Sequence, residues 1–280
     1  FKMLIIGSHV SFGKDQLLTS IKEALSYGSN TFMFYTGAPQ NTVRKEIDLE
    51  KTKEAQKLMQ ENNIDINNVI CHAPYIVNPA SNDLIKQDFA INFLKEELRR
   101  CSLMGIKQMV LHPGSAVNET REEGLNNIVK VLDAVLDNPY DVKILLETMA
   151  GKGNECGINL EELNYLLKNV KDDTKLGVCL DTCHLNDSGV AISAFDSYLD
   201  DFANLIGLNK IGCVHVNDSK NPLNSHKDRH ENIGIGTIGF DNLLAVIYNK
   251  RLENIPFILE TPYVCKEAVS YTHLTLPTIY

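Results

Sequence analysis

Nine residues of this 280-residue chain are candidates to hold transition metals: His72, His112, His184, His215 and His230, with Glu147, Asp181, Asp228 and Glu260. Imidazole together with carboxylate suits zinc, manganese or iron, whereas calcium prefers shells made of oxygen alone. Taken singly, each has a plainer reading. A histidine after a strand is commonly a hydrogen-bonding loop residue, and a strand-end Asp or Glu is commonly a helix N-cap or a surface charge. Together they read differently, because four carboxylates at one mouth without cations would raise each other's pKa or repel. A tetrahedral zinc takes about four ligands, so nine predict two or three ions with at least one bridging carboxylate. Three divalent ions outweigh four carboxylates, which makes the pocket cationic and attractive to an anionic group such as a phosphate.

Short β-branched runs alternating with amphipathic stretches must position these residues. Strands are expected at 3–6, 31–35, 69–71, 108–111, 142–146, 176–180, 211–216 and 256–259. Helical patterns lie near 15–27, 50–62, 83–104, 120–136, 159–168, 194–206 and 240–249. A parallel return needs a crossover, so strands separated by helices predict a parallel sheet, and apolar runs fit strands covered on both faces. The expectation is α/β: a single-domain (β/α)8 TIM barrel over residues 1–268, with the metal site at the C-terminal face of the strands. His72, His112, Glu147, Asp181, His215 and Glu260 all fall at expected strand ends, where barrel active sites sit. His184, Asp228 and His230 are expected in the loops just beyond.

An open doubly wound sheet is the competing architecture, and Gly234-x-Gly236-x-x-Gly239 has the dinucleotide-binding spacing. That motif needs a strand immediately before it, and here a polar loop precedes it. The glycines are read instead as letting a loop backbone approach a ligand. Cys71 should point away from the site if His72 points into it, and Cys179 should lie one layer below Asp181 on the same face. Cys71, Cys179 and Cys183 are all read as packing rather than as ligands.

Hydrophobic residues make up 44% of the chain and charged ones 22%, ordinary values for a globular protein. The seven cysteines are scattered and read as reduced, which implies a cytoplasmic location. No apolar run approaches the ~20 residues of a membrane span, and no signal segment is read at the start. The net charge of −9 opposes a basic nucleic-acid grip unless bound cations set the local charge. The last segment, VSYTHLTLPTIY (269–280), lacks a helical period and reads as a non-native tail.

The segments GVCLDTCHLNDSG (177–189), HVNDSK (215–220), HKDRHENIGIGTIG (226–239), ILLETMAGKG (144–153), LHPGS (111–115), ILETP (258–262) and IGSHVS (6–11) resemble the endonuclease IV family of AP endonucleases. The resemblance runs from about residue 3 to 263. It implies three Zn2+ per chain, with Mn2+ an option at one site. One zinc would take His72, His112 and Glu147. A second would share Glu147 and add Asp181, His215 and Glu260, and a third would take His184, Asp228 and His230. The implied reaction is hydrolysis of the phosphodiester 5′ to an abasic site in double-stranded DNA, leaving a 3′-hydroxyl and a 5′-deoxyribose phosphate, with trimming of blocked 3′ ends. A hydroxide bridging the zincs joined by Glu147 would be the nucleophile, with Glu260 orienting it. Gln40, Tyr75 and Ile76 match the positions that enter the damaged duplex, and Lys220 and Arg229 are candidate phosphate contacts. A monomer is expected from the same resemblance. The alternative is a metal-dependent sugar isomerase of the same barrel type. It needs one or two ions and leaves His184, Asp228 and His230 without a task. A non-catalytic DNA- or metal-binding barrel is a third class, disfavoured by the full ligand set.

Overall fold

A computed structural model describes residues 3–262. Its elements in chain order are β1 (Ile6–His9), α1 (Leu17–Ser26), β2 (Thr31–Phe34), α2 (Leu49–Glu61), β3 (Ile70–His72), α3 (Leu84–Met104), β4 (Gln108–Leu111), α4 (Arg121–Leu136) and β5 (Lys143–Glu147). Next come α5 (Leu160–Asn169), β6 (Leu176–Asp181), α6 (Thr182–Ser188), α7 (Phe195–Leu205), β7 (Ile211–His215), β8 (Asp218–Ser219), β9 (His230–Glu231), α8 (Phe240–Ile247) and β10 (Phe257–Leu259). Eight strands close into a barrel in the order β1-β10-β7-β6-β5-β4-β3-β2, and β8 and β9 form a separate two-stranded ribbon. Every pairing in the barrel is parallel, which the intervening helices make possible. The expected (β/α)8 architecture is therefore present. The tail at 269–280 lies outside the described residues.

Alternation along the strands divides the core in two. Residues facing outward join the helices in one large apolar cluster, which includes Cys71, Leu111, Leu146, Leu180, Val214 and Leu259. Residues facing inward form a plug of Met33, Ile70, Val110, Leu145, Cys179, Cys213 and Ile258. Two positions after each plug residue comes Tyr35, His72, His112, Glu147, Asp181, His215 or Glu260. The period of two thus lays a polar ring directly on an apolar floor. Cys71 is turned outward and Cys179 lies below Asp181, as expected.

Three expectations about the elements need correction. His230 opens strand β9 rather than lying in a loop. The first strand is Ile6–His9 rather than 3–6, so it ends on His9 and brings that residue to the rim. His184 lies on the seven-residue helix α6 and not in a loop; Asp181 caps that helix, accepting from His184 N at 2.9 Å.

The loop between β2 and α2 is pinned from below. Arg44 Nε donates to Glu97 Oε1 at 3.0 Å, Thr36 Oγ1 to Glu97 Oε2 at 2.8 Å, and Arg100 Nη2 to the Thr36 carbonyl at 2.7 Å. Glu97 and Arg100 are buried, and their charges are tolerable because each is paired and hydrogen-bonded.

Candidate metal centre

The ring of strand-end side chains converges on three clusters. In the first, Glu147 Oε2 lies 2.9 Å from His112 Nε2 and 3.2 Å from His72 Nε2. In the second, His215 Nδ1 lies 3.1 Å from the other Glu147 oxygen, 3.0 Å from Glu260 Oε2 and 3.6 Å from Asp181 Oδ2. The two oxygens of Glu147 therefore belong to different clusters. In the third, Asp228 Oδ1 lies 2.8 Å from His184 Nε2 and 3.4 Å from His230 Nε2, while Asp181 Oδ2 lies 3.7 Å from His230 Nε2. All nine residues singled out by type thus meet at one face of the barrel.

Hydrogen bonds on the far side of the rings decide which nitrogens point in. His72 Nδ1 donates to the Ala73 carbonyl at 2.6 Å, His184 Nδ1 to that of Thr148 at 2.8 Å, and His230 Nδ1 to that of Glu260 at 3.1 Å. A carbonyl only accepts, so each Nδ1 carries a proton and it is Nε2 that faces the cluster and would turn its lone pair to a metal ion. His230 Nε2 is buried without a hydrogen-bond partner. A lone pair held in that way fits a metal ion, as does the mixed imidazole and carboxylate donor set.

In the protein alone, the charges pair with each other. Burial would depress the His112, His184 and His215 pKa values, yet neighbouring groups outweigh it and raise all three: carboxylates at His112 and His184, and Cys179 followed by Glu260 and Glu147 at His215. Burial would raise Glu147, Asp228 and Glu260, yet the same imidazoles hold all three below the usual carboxylate range.

Three side chains at the site carried no signal as candidates. Asn217 is buried; its amide donates to Asp181 Oδ2 at 2.9 Å and Glu260 Oε2 at 3.1 Å, and its Oδ1 accepts from Glu260 N at 2.9 Å. It aligns two carboxylates of the second cluster. His9 meets Tyr35 edge-on with ring centroids 5.1 Å apart, and Tyr35 lies 4.9 Å from His72. Desolvation lowers the His9 pKa against the opposing pull of Glu260, and His72 and His215 add to the lowering. Placing the first strand three residues early hid His9, although IGSHVS contains it.

The glycine motif has a different task from the one expected. Gly234 N and Gly236 N donate to Asp218 Oδ2 at 3.0 and 3.1 Å, and Ile238 N to Asp218 Oδ1 at 2.9 Å. The loop backbone closes on a buried carboxylate of its own chain rather than on a ligand. That fastening anchors the β8–β9 ribbon, which carries His230 and brings Lys220 N to the Arg229 carbonyl at 3.0 Å. The intervening loop has left-handed backbone at Asn224, His226 and Asp228. Such residues cost on the order of 1–3 kcal/mol each and persist where surroundings over-determine them. Here Asp187 does so, accepting from Asp228 N at 2.9 Å through its side chain and from His226 N at 2.9 Å through its carbonyl.

The proposed DNA-contact residues divide. Tyr75 lines a cavity of about 380 Å³ together with His112, Lys152 and Asp228, so it stands at the mouth of the centre. Ile76 beside it is 43% exposed. Gln40 is exposed in the pinned loop, whose neighbours Pro39 and Asn41 frame a second cavity of about 490 Å³ with His9 and Lys14. Lys220 and Arg229 are exposed at the ribbon. Cys183 lies near Asp228 and His230, but its thiol is turned to the Arg229 carbonyl at 3.7 Å, and burial raises its pKa far above that of an ordinary thiol.

The profile of a family described as xylose isomerase-like TIM barrel matches residues 21–273. A protein of Acholeplasma laidlawii named probable endonuclease 4 is 53% identical over 266 residues, covering 94% of this chain and 90% of its own length. The chain belongs to the endonuclease IV family. Crystallographic endonuclease IV from Thermus thermophilus superposes with a TM-score of 0.82 at 28% identity, over 95% of each chain. A D-tagatose 3-epimerase-like protein superposes with a TM-score of 0.70 at 21% identity, over 95% of this chain and 94% of its own; this likeness extends to the fold alone. Among the described residues of this endonuclease IV homologue, no helix is long and apolar enough to cross a membrane.

Proposed function

We propose that this member of the endonuclease IV family is a zinc-dependent DNA repair nuclease. Its reaction is hydrolysis of the phosphodiester 5′ to abasic sites, leaving a 3′-hydroxyl and a 5′-deoxyribose phosphate, with 3′-end trimming. The observation that carries the proposal is the splitting of the Glu147 carboxylate between two clusters with a third cluster alongside, which is more than a one- or two-ion sugar isomerase needs. His72, His112 and Glu147 would hold one zinc, Glu147, Asp181, His215 and Glu260 a second, and His184, Asp228 and His230 a third. Zinc bound there would polarise phosphate oxygens and lower the pKa of water to about 7.

The protein's own groups supply alignment and proton handling. Asn217 and His215 fix Glu260 Oε2, which leaves the other oxygen of Glu260 to accept a hydrogen bond from the attacking water and orient it. Tyr75 and Ile76 would fill the space left by the missing base, where unstacking costs least. Gln40 would approach the duplex from the opposite rim, and Lys220 and Arg229 would contact phosphates. The deciding experiment is incision of a duplex carrying one abasic analogue, with and without chelator, alongside metal analysis of the purified protein. Chelator-sensitive cleavage with three zincs per chain is expected. Absence of cleavage by zinc-replete protein would refute the assignment.

A further inference from the structure

One layer below the carboxylates, the register of β6 and β7 sets Cys179 beside Cys213, just as it sets Asp181 beside His215. Both thiols face the barrel interior and are fully buried. A ring nitrogen of His215 and the two sulfurs lie within 4.8 Å of one another. Nδ1 of that ring is turned up to Glu147 and Glu260. Nε2, the other nitrogen of the ring, is buried without a hydrogen-bond partner. An unpaired polar atom is costly against a floor of Ile70, Val110, Leu145 and Ile258. Two sulfurs and an imidazole nitrogen make the donor set that soft cations select.

We propose that Cys179, Cys213 and His215 form a separate site for a thiophilic cation such as Cd2+, stacked directly beneath the second cluster of the metal centre. Binding breaks two S–H bonds and the Nε2–H bond, releases three protons to the buffer, and forms two metal–sulfur bonds and one metal–nitrogen bond. No electron is transferred. His215 becomes an imidazolate whose Nδ1 still serves the cluster above. The upper clusters are built from oxygen and nitrogen donors, and the Cys183 sulfur beside the third is turned to the Arg229 carbonyl, so a soft ion is sorted to the floor. The site is independent of the nuclease reading, since it rests on the barrel interior and needs no substrate.

Cadmium chloride added to the zinc-loaded protein, followed by gel filtration, tests this directly. The sulfur-to-cadmium charge-transfer band in the ultraviolet and the retained cadmium are the readouts. Wild type should keep cadmium with the band; Cys179→Ala and Cys213→Ala should lose the band. Cys71→Ala and Cys183→Ala should keep it, the latter being a needed control because Cys183 lies within 4.8 Å of Asp228 and His230. X-ray absorption at cadmium in the unmodified protein gives the answer without any variant: two sulfurs in the shell support the site. A shell of nitrogen and oxygen alone, or a band that survives in a folded Cys179→Ala/Cys213→Ala double variant, overturns it.

Discussion

Glu147 is the residue on which the centre turns, because each of its oxygens faces a different set of imidazoles. Glu147→Gln replaces one of those oxygens with an amide donor, and it should abolish incision while circular dichroism shows the barrel intact. Near-normal turnover in that variant would contradict the bridging role. Asn217 acts one step removed, through Asp181 and Glu260. Partners of metal ligands are commonly worth about 10–100-fold in affinity or activity, so Asn217→Ala should lower zinc affinity by that factor, read by competition with a chelating dye. The metal-free protein should also show a distinctive pH profile. His112, His184 and His215 have raised pKa values, so their stabilisation is complete below the unfolded value of about 6.5 and is lost as pH rises through the folded values. Glu147, Asp228 and Glu260 are lowered, so theirs is present above about pH 4.3 and is lost as pH falls. Metal-free Tm should therefore peak between these limits and decline toward alkaline pH. A Tm that stays level above neutrality would show that the imidazolium–carboxylate pairs do not form.

At the scale of elements, the ribbon and the loop before it deliver Asp228 and His230, and they rely on Asp187 and Asp218 rather than on an apolar core. A Cβ at Gly236 would lie 2.3 Å from the Ser219 carbonyl oxygen and 2.4 Å from Asp218 Oδ1. Gly236→Ala must therefore spread the loop from the carboxylate, and a buried acceptor that loses its donors costs about 1–3 kcal/mol. The expected result is a lower Tm together with loss of one zinc, while the clusters built on strand ends keep theirs. Full zinc content in this variant would show that the ribbon holds its shape without the fastening. The strand-end residues were legible in the sequence because strands β3 to β7 read clearly and a period of two fixes which residues crown them. His9 was not, since β1 begins three residues later than its apolar run suggests. Nor was α6, whose residues Thr182–Ser188 are almost all buried and so show no polar face from which a helical period could be read.

For the whole molecule, the acidic balance of −9 and a role on DNA would be reconciled by bound cations concentrated at the one face where the nine candidate ligands meet. Ions that bind only the folded state also stabilise it. Each zinc site held at a hundredfold excess over its Kd adds about 2.7 kcal/mol, so chelation should lower Tm by at least about 5 °C. An unchanged melting curve would mean that the centre is not metal-dependent in its stability. The barrel, its single polar face and the nine candidate ligands were determined by the sequence alone, because strand alternation and residue type are local properties. Only the tertiary structure decided which carboxylate oxygen serves which cluster, that Asn217 ties two of them together, and that the glycines close on Asp218. Those facts depend on the register between neighbouring strands and on where a loop returns, and both are set by contacts between residues far apart in the chain.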